Sequence, residues 1–368
     1  MATSIQLRKI NRNNIYRNLL EEQNTSKQKI SRKLGLSIPT VTQGLNDLEK
    51  MGLIYYNGVF NSTGGRKAQV VSAVSDAKIS IGVDITANHI NLVIIDLSGK
   101  VLNSERIRIT FQNSEDYYKN LNGIINDAIG DRKEKILGVN ISIPGIIDEI
   151  TQEVRYAPLL KQPRDLIHQL KKYISYSIHL VNDATAGAYS ELYGERKKDN
   201  FLYLMLSNSV GGAAIIDGKI IEGKSFRSGE FGHITIVPYG RKCYCGQLGC
   251  VDAYCSASLL SSLADDNLEL FFQSLKRGDE KCVKAWGEYL EYLCIIVNNL
   301  QVGFDCEIIL GGYVGWYLKP YLDEIRNRVK ARCPFPAESV TISVGKYNLE
   351  ASALGAAMYY INQFVENV

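Results

Sequence analysis

Nowhere does the 368-residue sequence approach the roughly eighteen consecutive apolar residues that a membrane-crossing helix needs, so no membrane span is predicted. The N-terminal stretch has polar and basic residues but no apolar signal core or small-residue cleavage site, and a cytoplasmic protein is expected. Fixed-period repeats and low-complexity tracts are also missing, which argues against a solenoid. Charge of one sign is absent overall, with a formal net of +3. Divided along the chain it is not: residues 1–78 hold 12 Lys and Arg against 5 Asp and Glu, and the remainder holds 30 against 34. A basic head suited to a polyanion followed by a mildly acidic body is one reading; a solvated basic face fits the charge equally well.

What is present begins with ordinary globular composition, 45% hydrophobic and 22% charged, in a chain long enough for two or three domains. Of eight cysteines, Cys243, Cys245 and Cys250 crowd into one short stretch while five are dispersed. A long chain without a secretion signal is not a disulfide scaffold, and the dispersed five read as small buried hydrophobes.

Residues 1–52 read as short helices, with Ile15, Leu19 and Leu20, then Ile30 and Leu34, then Val41, Leu45 and Leu48 at helical spacing. Gly35 suits a tight helix stop, Ser37 a cap on the next helix and Pro39 its first turn. With Val41, Leu45 and Leu48 facing inward, Ser37, Thr40, Thr42, Gln43 and Asn46 are candidates to touch DNA from a major-groove helix. Two β-prone runs around Asn57-Gly58 predict a hairpin turn, and Gln69-Val70-Val71 a further pairing. Gly64-Gly65-Arg66-Lys67 then reads as the tip of a wing, with Arg66 and Lys67 as DNA contacts. A helical protein-interaction module is the competing reading.

From Lys78 the pattern is α/β, with strands expected at 79–85, 90–97, 101–109, 136–143, 177–181, 201–206, 212–216, 307–310 and 340–344. Helices are expected near 115–129, 184–193, 281–300, 318–331 and 351–363. The first three strands suggest an antiparallel meander, with parallel crossovers later. Within this body, His233 with Cys243, Cys245 and Cys250 offers the four N and S ligands of a closed tetrahedral zinc site. Four protein ligands leave no open position, so such a Zn2+ is structural. Free buried thiols or a redox pair are the alternatives.

The segment Gly229-Glu230-Phe231-Gly232-His233 through Cys250, followed by Val251-Asp252, resembles the signature of the ROK family of bacterial repressors, sugar kinases and their relatives. Val181-Asn182-Asp183-Ala184-Thr185-Ala186, Ile143-Pro144-Gly145 and Leu310-Gly311-Gly312 are similar to other landmarks of the family. Leu7-Arg8-Lys9-Ile10-Asn11 and Gly64-Gly65-Arg66 look like the segments flanking the head in its repressor branch. The resemblance implies a winged helix-turn-helix over residues 1–76 and a two-lobed, actin- and hexokinase-like (ribonuclease H-like) α/β domain over 77–368. The first lobe is expected over about 77–190 with helix 350–368, and the second, holding the zinc site, over about 191–349. It also implies sugar contacts from Asn182, Asp183, Glu230 and His233, with Asp252 where relatives usually carry Glu. In family kinases the position of Asp183 is the general base, and the imidazole matching His233 serves metal and sugar at once.

Departures from the family pattern bear on activity. Relatives that are kinases begin with a glycine-containing turn that cradles ATP phosphates; here it is Asp84-Ile85-Thr86-Ala87-Asn88-His89. The second phosphate loop, normally glycine-rich, is Ser207-Asn208-Ser209-Val210-Gly211-Gly212-Ala213. Side chains at those positions obstruct the backbone N–H groups a phosphate requires. Leu159 stands where the family has an Asn. The expectation is a non-catalytic, sugar-responsive repressor of carbohydrate-utilisation genes, with a free sugar as effector and Asp183 as a vestigial base. It would act as a dimer or tetramer on double-stranded operator DNA. An active ATP-dependent sugar kinase with a regulatory head, or a ligand-free dimerisation scaffold, are the other readings.

Overall fold

The computed structural model describes residues 4–60, 68–193, 199–336 and 340–368. The expected wing tip, Gly64-Gly65-Arg66-Lys67, lies outside them.

Three helices, Ser4–Glu21, Lys27–Leu34 and Ile38–Lys50, form the head. Gly35 at φ 64° stops the second helix in the left-handed region, and the Ser37 side chain accepts from the Thr40 N–H to start the third. Ile15, Leu19, Ile30, Val41, Leu45 and Leu48 are fully buried, each worth about 1.5–3 kcal/mol of transfer free energy. Ile54–Val59 and Gln69–Ala73 then pair antiparallel. Here the Asn57-Gly58 expectation is corrected. The first strand runs straight through that pair, whose glycine has φ 75°, and the register slips between Tyr56 and Val59. The positive-φ residue makes an irregularity within the strand rather than reversing the chain.

The body holds two five-stranded sheets. In the first, Ile79–Ile85, His89–Asp96 and Val101–Arg108 form an antiparallel meander, and Ile136–Ile143 and Ile178–Asn182 join the other edge in parallel. In the second, Phe201–Leu206 pairs antiparallel with Val210–Ile216 and parallel with Glu307–Gly311, which pairs with Ile342–Val344. Lys219–Ile220 closes its edge. The 25-residue helix Glu280–Phe304 packs on this sheet through Leu293, Val297 and Leu300. The helix expected from residue 318 begins at Leu322, because Pro320 lies in a preceding 3-10 turn that lacks its N–H donor.

The C-terminal helix Ala351–Asn367 returns to the first sheet and lies against the helix Asp183–Tyr193. Gly355 permits the approach: a Cβ there would stand 1.7 Å from the Ala186 carbonyl oxygen. The same helix joins head to body. Ile15, Tyr16 and Leu19 share one continuous core with Leu354, Met358 and Ile361. Near its end, Asn13 donates to the Glu366 carbonyl at 2.6 Å and Lys9 to Asn367 at 3.0 Å. At its start, the Ser352 hydroxyl donates to the Asp183 carbonyl at 3.0 Å.

Candidate functional site

Between the sheets lies a cleft of two adjoining compartments. The outer, about 420 Å³ with its open mouth, is lined by Asn182, Asp183, Glu230 and His233 together with Tyr156 and Tyr244. Each polar group is delivered by a turn or helix start. Asn182 ends a strand and caps the next helix, accepting from the Thr185 N–H at 3.0 Å while donating to the Gly145 carbonyl. Asp183 begins that helix and accepts from the Ala184 N–H at 2.9 Å. Burial pushes its carboxyl well above the usual range, and the negative charges of Asp84 and Glu230 add to the effect. Burial likewise raises Glu230 and lowers His233, so the imidazole is neutral near pH 7.

His233 belongs to two constellations. Its Nδ1 lies 3.8 Å from the Cys243 sulfur, and the Cys245 and Cys250 sulfurs lie 3.8 Å apart. All four ligand atoms fall within 4.8 Å of one another. Thiolates on a tetrahedral zinc at about 2.3 Å stand about 3.8 Å apart, so the donor set and its spacing fit that ion. Gly249, at φ 80°, makes the wrap possible: a Cβ there would meet the Val237 carbonyl at 1.8 Å. On the other edge of the ring, Nε2 faces the Tyr244 hydroxyl at 3.3 Å and Glu230 at 3.7 Å. The imidazole therefore turns one nitrogen to the sulfurs and the other to the cleft, as a ligand with an oriented outer partner does.

Asp252 is placed differently from the other four expected sugar contacts. It is buried and accepts from the Val210 N–H at 2.6 Å, holding the strand that floors the cleft rather than lining the cavity.

The inner compartment is lined by residues of the two segments, at 84–89 and 207–213, that resemble phosphate-binding loops. The Asp84 oxygens accept from Asn91 at 2.9 Å and Ser142 at 2.8 Å. Thr86 closes its turn on itself, its hydroxyl accepting from the His89 N–H at 3.0 Å. Ser207 accepts from the Tyr313 N–H at 3.3 Å, and the Tyr313 ring stands in the wall with Arg106 5.5 Å over it. Tyr313 and Tyr244 escaped the sequence reading. Each adjoins a recognised motif, Gly311-Gly312 and the cysteine pair, and a bulky ring beside a glycine pair or inside a ligand turn was the available signal.

On the head, the exposed face of the third helix presents Gln43 and Asn46, beside Arg8 and Lys50. Thr42 donates to the Ile38 carbonyl at 2.8 Å, and Thr40 bonds the capping Ser37 at 2.8 Å. Arg8, from the first helix, forks onto Asp47 at 2.7 Å and so braces the third.

Comparison with known proteins agrees with this geometry. Residues 80–363 match the ROK family profile, and residues 8–55 match a winged helix-turn-helix DNA-binding profile. The chain belongs to the ROK family. Among relatives, the xylose repressor of Bacillus subtilis is 28% identical, over 98% of this chain and 97% of its own length. The N-acetylmannosamine kinase of Salmonella arizonae is 29% identical over 52% of this chain and 68% of its own length. Among solved structures, a ROK family transcriptional regulator described as a homologue of the E. coli MLC protein superposes with TM-score 0.78 at 19% identity, covering 98% of this chain and 97% of that one. A ROK family glucokinase from Streptomyces griseus in complex with glucose and AMPPNP gives 0.64 at 23% identity, over 76% of this ROK chain and 98% of its own.

Proposed function

We propose that this ROK protein is a sugar-responsive DNA-binding repressor of carbohydrate-utilisation genes, which holds a free sugar in the outer compartment without phosphorylating it. The observation that carries the sensing part is the position of His233, which adjoins a half-buried cluster of three cysteines on one ring edge and a cleft wall with Asp183, Glu230 and Asn182 on the other. A sugar is a ring of hydroxyls that donate and accept, and Glu230, Asp183 and the His233 Nε2 offer the complementary groups. The repressor part draws on the head and on likeness to a xylose repressor along nearly the whole of both chains, which makes xylose the first ligand to test.

His233, Cys243, Cys245 and Cys250 would hold a zinc ion. When bound, it supplies rigidity, since four protein ligands leave no position for water. The absence of phosphoryl transfer rests on the inner compartment. Asp84, Thr86 and Ser207 of its turn and loop are bonded within the fold, and transfer needs a positioned γ-phosphate and its metal. We divide the chain into a head, residues 1–76, and a body, 77–368, acting in the cytoplasm. Gln43, Asn46, Ser37, Thr40 and Thr42, with Arg66 and Lys67 of the wing, form the DNA side. A homo-oligomer, dimer or tetramer, would set paired heads on two half-sites of duplex DNA.

The test combines two measurements on the full chain: anisotropy of a labelled operator with and without xylose, and ADP release from Mg-ATP with xylose. A sugar-dependent change in DNA affinity with background ADP release is expected. ADP release above background would favour the regulatory kinase, and operator binding indifferent to every sugar would favour the scaffold.

A further inference from the structure

The two compartments of the cleft adjoin. Pro144, Leu159, Asp183, Met205 and Ser209 line both, so a ligand against Asp183 in the outer one borders the inner one. The inner space is the larger, about 670 Å³ with its mouth against about 420 Å³.

Its walls are unlike those of a phosphate site. Tyr203, Met205, Tyr313, Leu349 and Ala351 present rings and methyl groups. Several polar members are already bonded, Asp84 to Asn91 and Ser142, Thr86 to His89, and Ser352 to the Asp183 carbonyl, while Asn208, Ser209 and Asn348 also stand in the wall. No Lys or Arg is among the described residues that line either compartment, whereas Asp84, Asp183 and Glu230 are. A phosphate there would face Asp84 and Asp183 with no cation in the lining itself, Arg106 standing over the Tyr313 ring rather than in the wall. An uncharged ring with apolar faces meets the opposite situation, since sugar C–H faces and aryl rings both pack on tyrosine and aliphatic walls.

We infer that the effector of this protein is a neutral glycoside, with one sugar ring in the outer compartment and a second uncharged ring, sugar or aryl, in the inner one. This rests on the sugar-binding reading of the outer compartment and adds the part of the ligand beyond Asp183. The glycosidic oxygen passes Asp183 where a kinase would have met phosphate, so the erosion of the phosphate turns leaves a second subsite.

Isothermal titration of the full chain tests it. The probes are xylose and glucose, the disaccharides xylobiose, cellobiose and maltose, the 4-nitrophenyl xylosides and glucosides of both anomers, and glucose 6-phosphate. At least one disaccharide or aryl glycoside should bind tenfold or more tighter than its monosaccharide, and the phosphate should not compete. Disaccharides against nitrophenyl glycosides decide which second ring is preferred. Ala87→Phe, which lines only the inner compartment, should abolish the tenfold gain while leaving the monosaccharide affinity within about twofold. If that variant does not fold, Leu349→Trp, at a partly exposed wall position, serves the same purpose. Monosaccharides that bind as tightly as every glycoside would overturn the inference while the sugar reading stands, as would a preference for glucose 6-phosphate. No binding by any probe would remove the sugar reading and the inference with it.

Discussion

The two compartments of the cleft differ in what their polar groups have left to offer. In the outer one, Glu230 lies 3.7 Å from the His233 Nε2 and faces the cavity, while that nitrogen also meets the Tyr244 hydroxyl at 3.3 Å and Asn182 and Asp183 are bonded to their own helix start. In the inner one, Asp84, Thr86 and Ser207 each have close partners in the protein. The head repeats the contrast on a single helix: Gln43 and Asn46 have no partner among the described residues, while Thr40 and Thr42 are bonded locally. A residue type that can bind a ligand is thus an incomplete indicator. What decides is whether its hydrogen-bonding capacity remains after the local turn has closed.

The comparison is most severely tested by breaking the cluster of His233, Cys243, Cys245 and Cys250, which shares His233 with the outer compartment. Cys250→Ser should abolish about one bound zinc per chain and lower stability by about 3 kcal/mol or more, a fall of roughly 6–12 °C in melting midpoint. Metal analysis and thermal melts check it, and a strong chelator on the wild type should reproduce the shift. Next in size, Glu230→Gln should weaken sugar binding ten- to a hundredfold, as expected for removing a hydrogen bond to a charged group worth about 1.5–3 kcal/mol. Thr86→Val, in the inner turn, should leave monosaccharide affinity within twofold. Equal losses from the two variants would dissolve the distinction between the compartments. On the head, Gln43→Ala and Asn46→Ala should each cost about 1–3 kcal/mol of specific operator binding if they read base edges. The smallest effect is expected from Thr42→Ala, below about 0.5 kcal/mol, because its hydroxyl serves the Ile38 carbonyl. Anisotropy titrations at one fixed salt concentration rank the three.

Much of this was readable without coordinates. Strands at 136–143 and 201–206 and the helix at 115–129 stand where apolar patterning put them, because a continuous apolar run at 201–206, a stretch rich in Ile and Val at 136–143 and a Ser cap with a 3.6 period are local signals. The metal cluster was also local, three cysteines in one turn and a histidine just upstream. Less readable was Asn57-Gly58, where the same dipeptide serves a hairpin or an irregular strand and only the register of the partner decides. The helices Leu166–Tyr173 and Leu268–Lys276 are short and were not anticipated. Asp252 shows the limit most clearly. Its place beside the signature suggested a sugar contact, yet one of its oxygens accepts from the Val210 N–H, a partner 42 residues away that no local pattern reveals.

The C-terminal helix has a mechanical consequence. It is a rod fastened at Ser352 to the backbone of Asp183 and at Glu366 to the first helix of the head. Fourteen residues at about 1.5 Å rise separate those anchors by about 21 Å. A tilt of about 5° pivoting at the first moves the second by about 2 Å, comparable to a helix shift at a switching interface. Because the helix also packs along the first sheet, an angular change of that sheet in the cleft would carry the helix with it and reach the head as a displacement on the scale of a hydrogen bond.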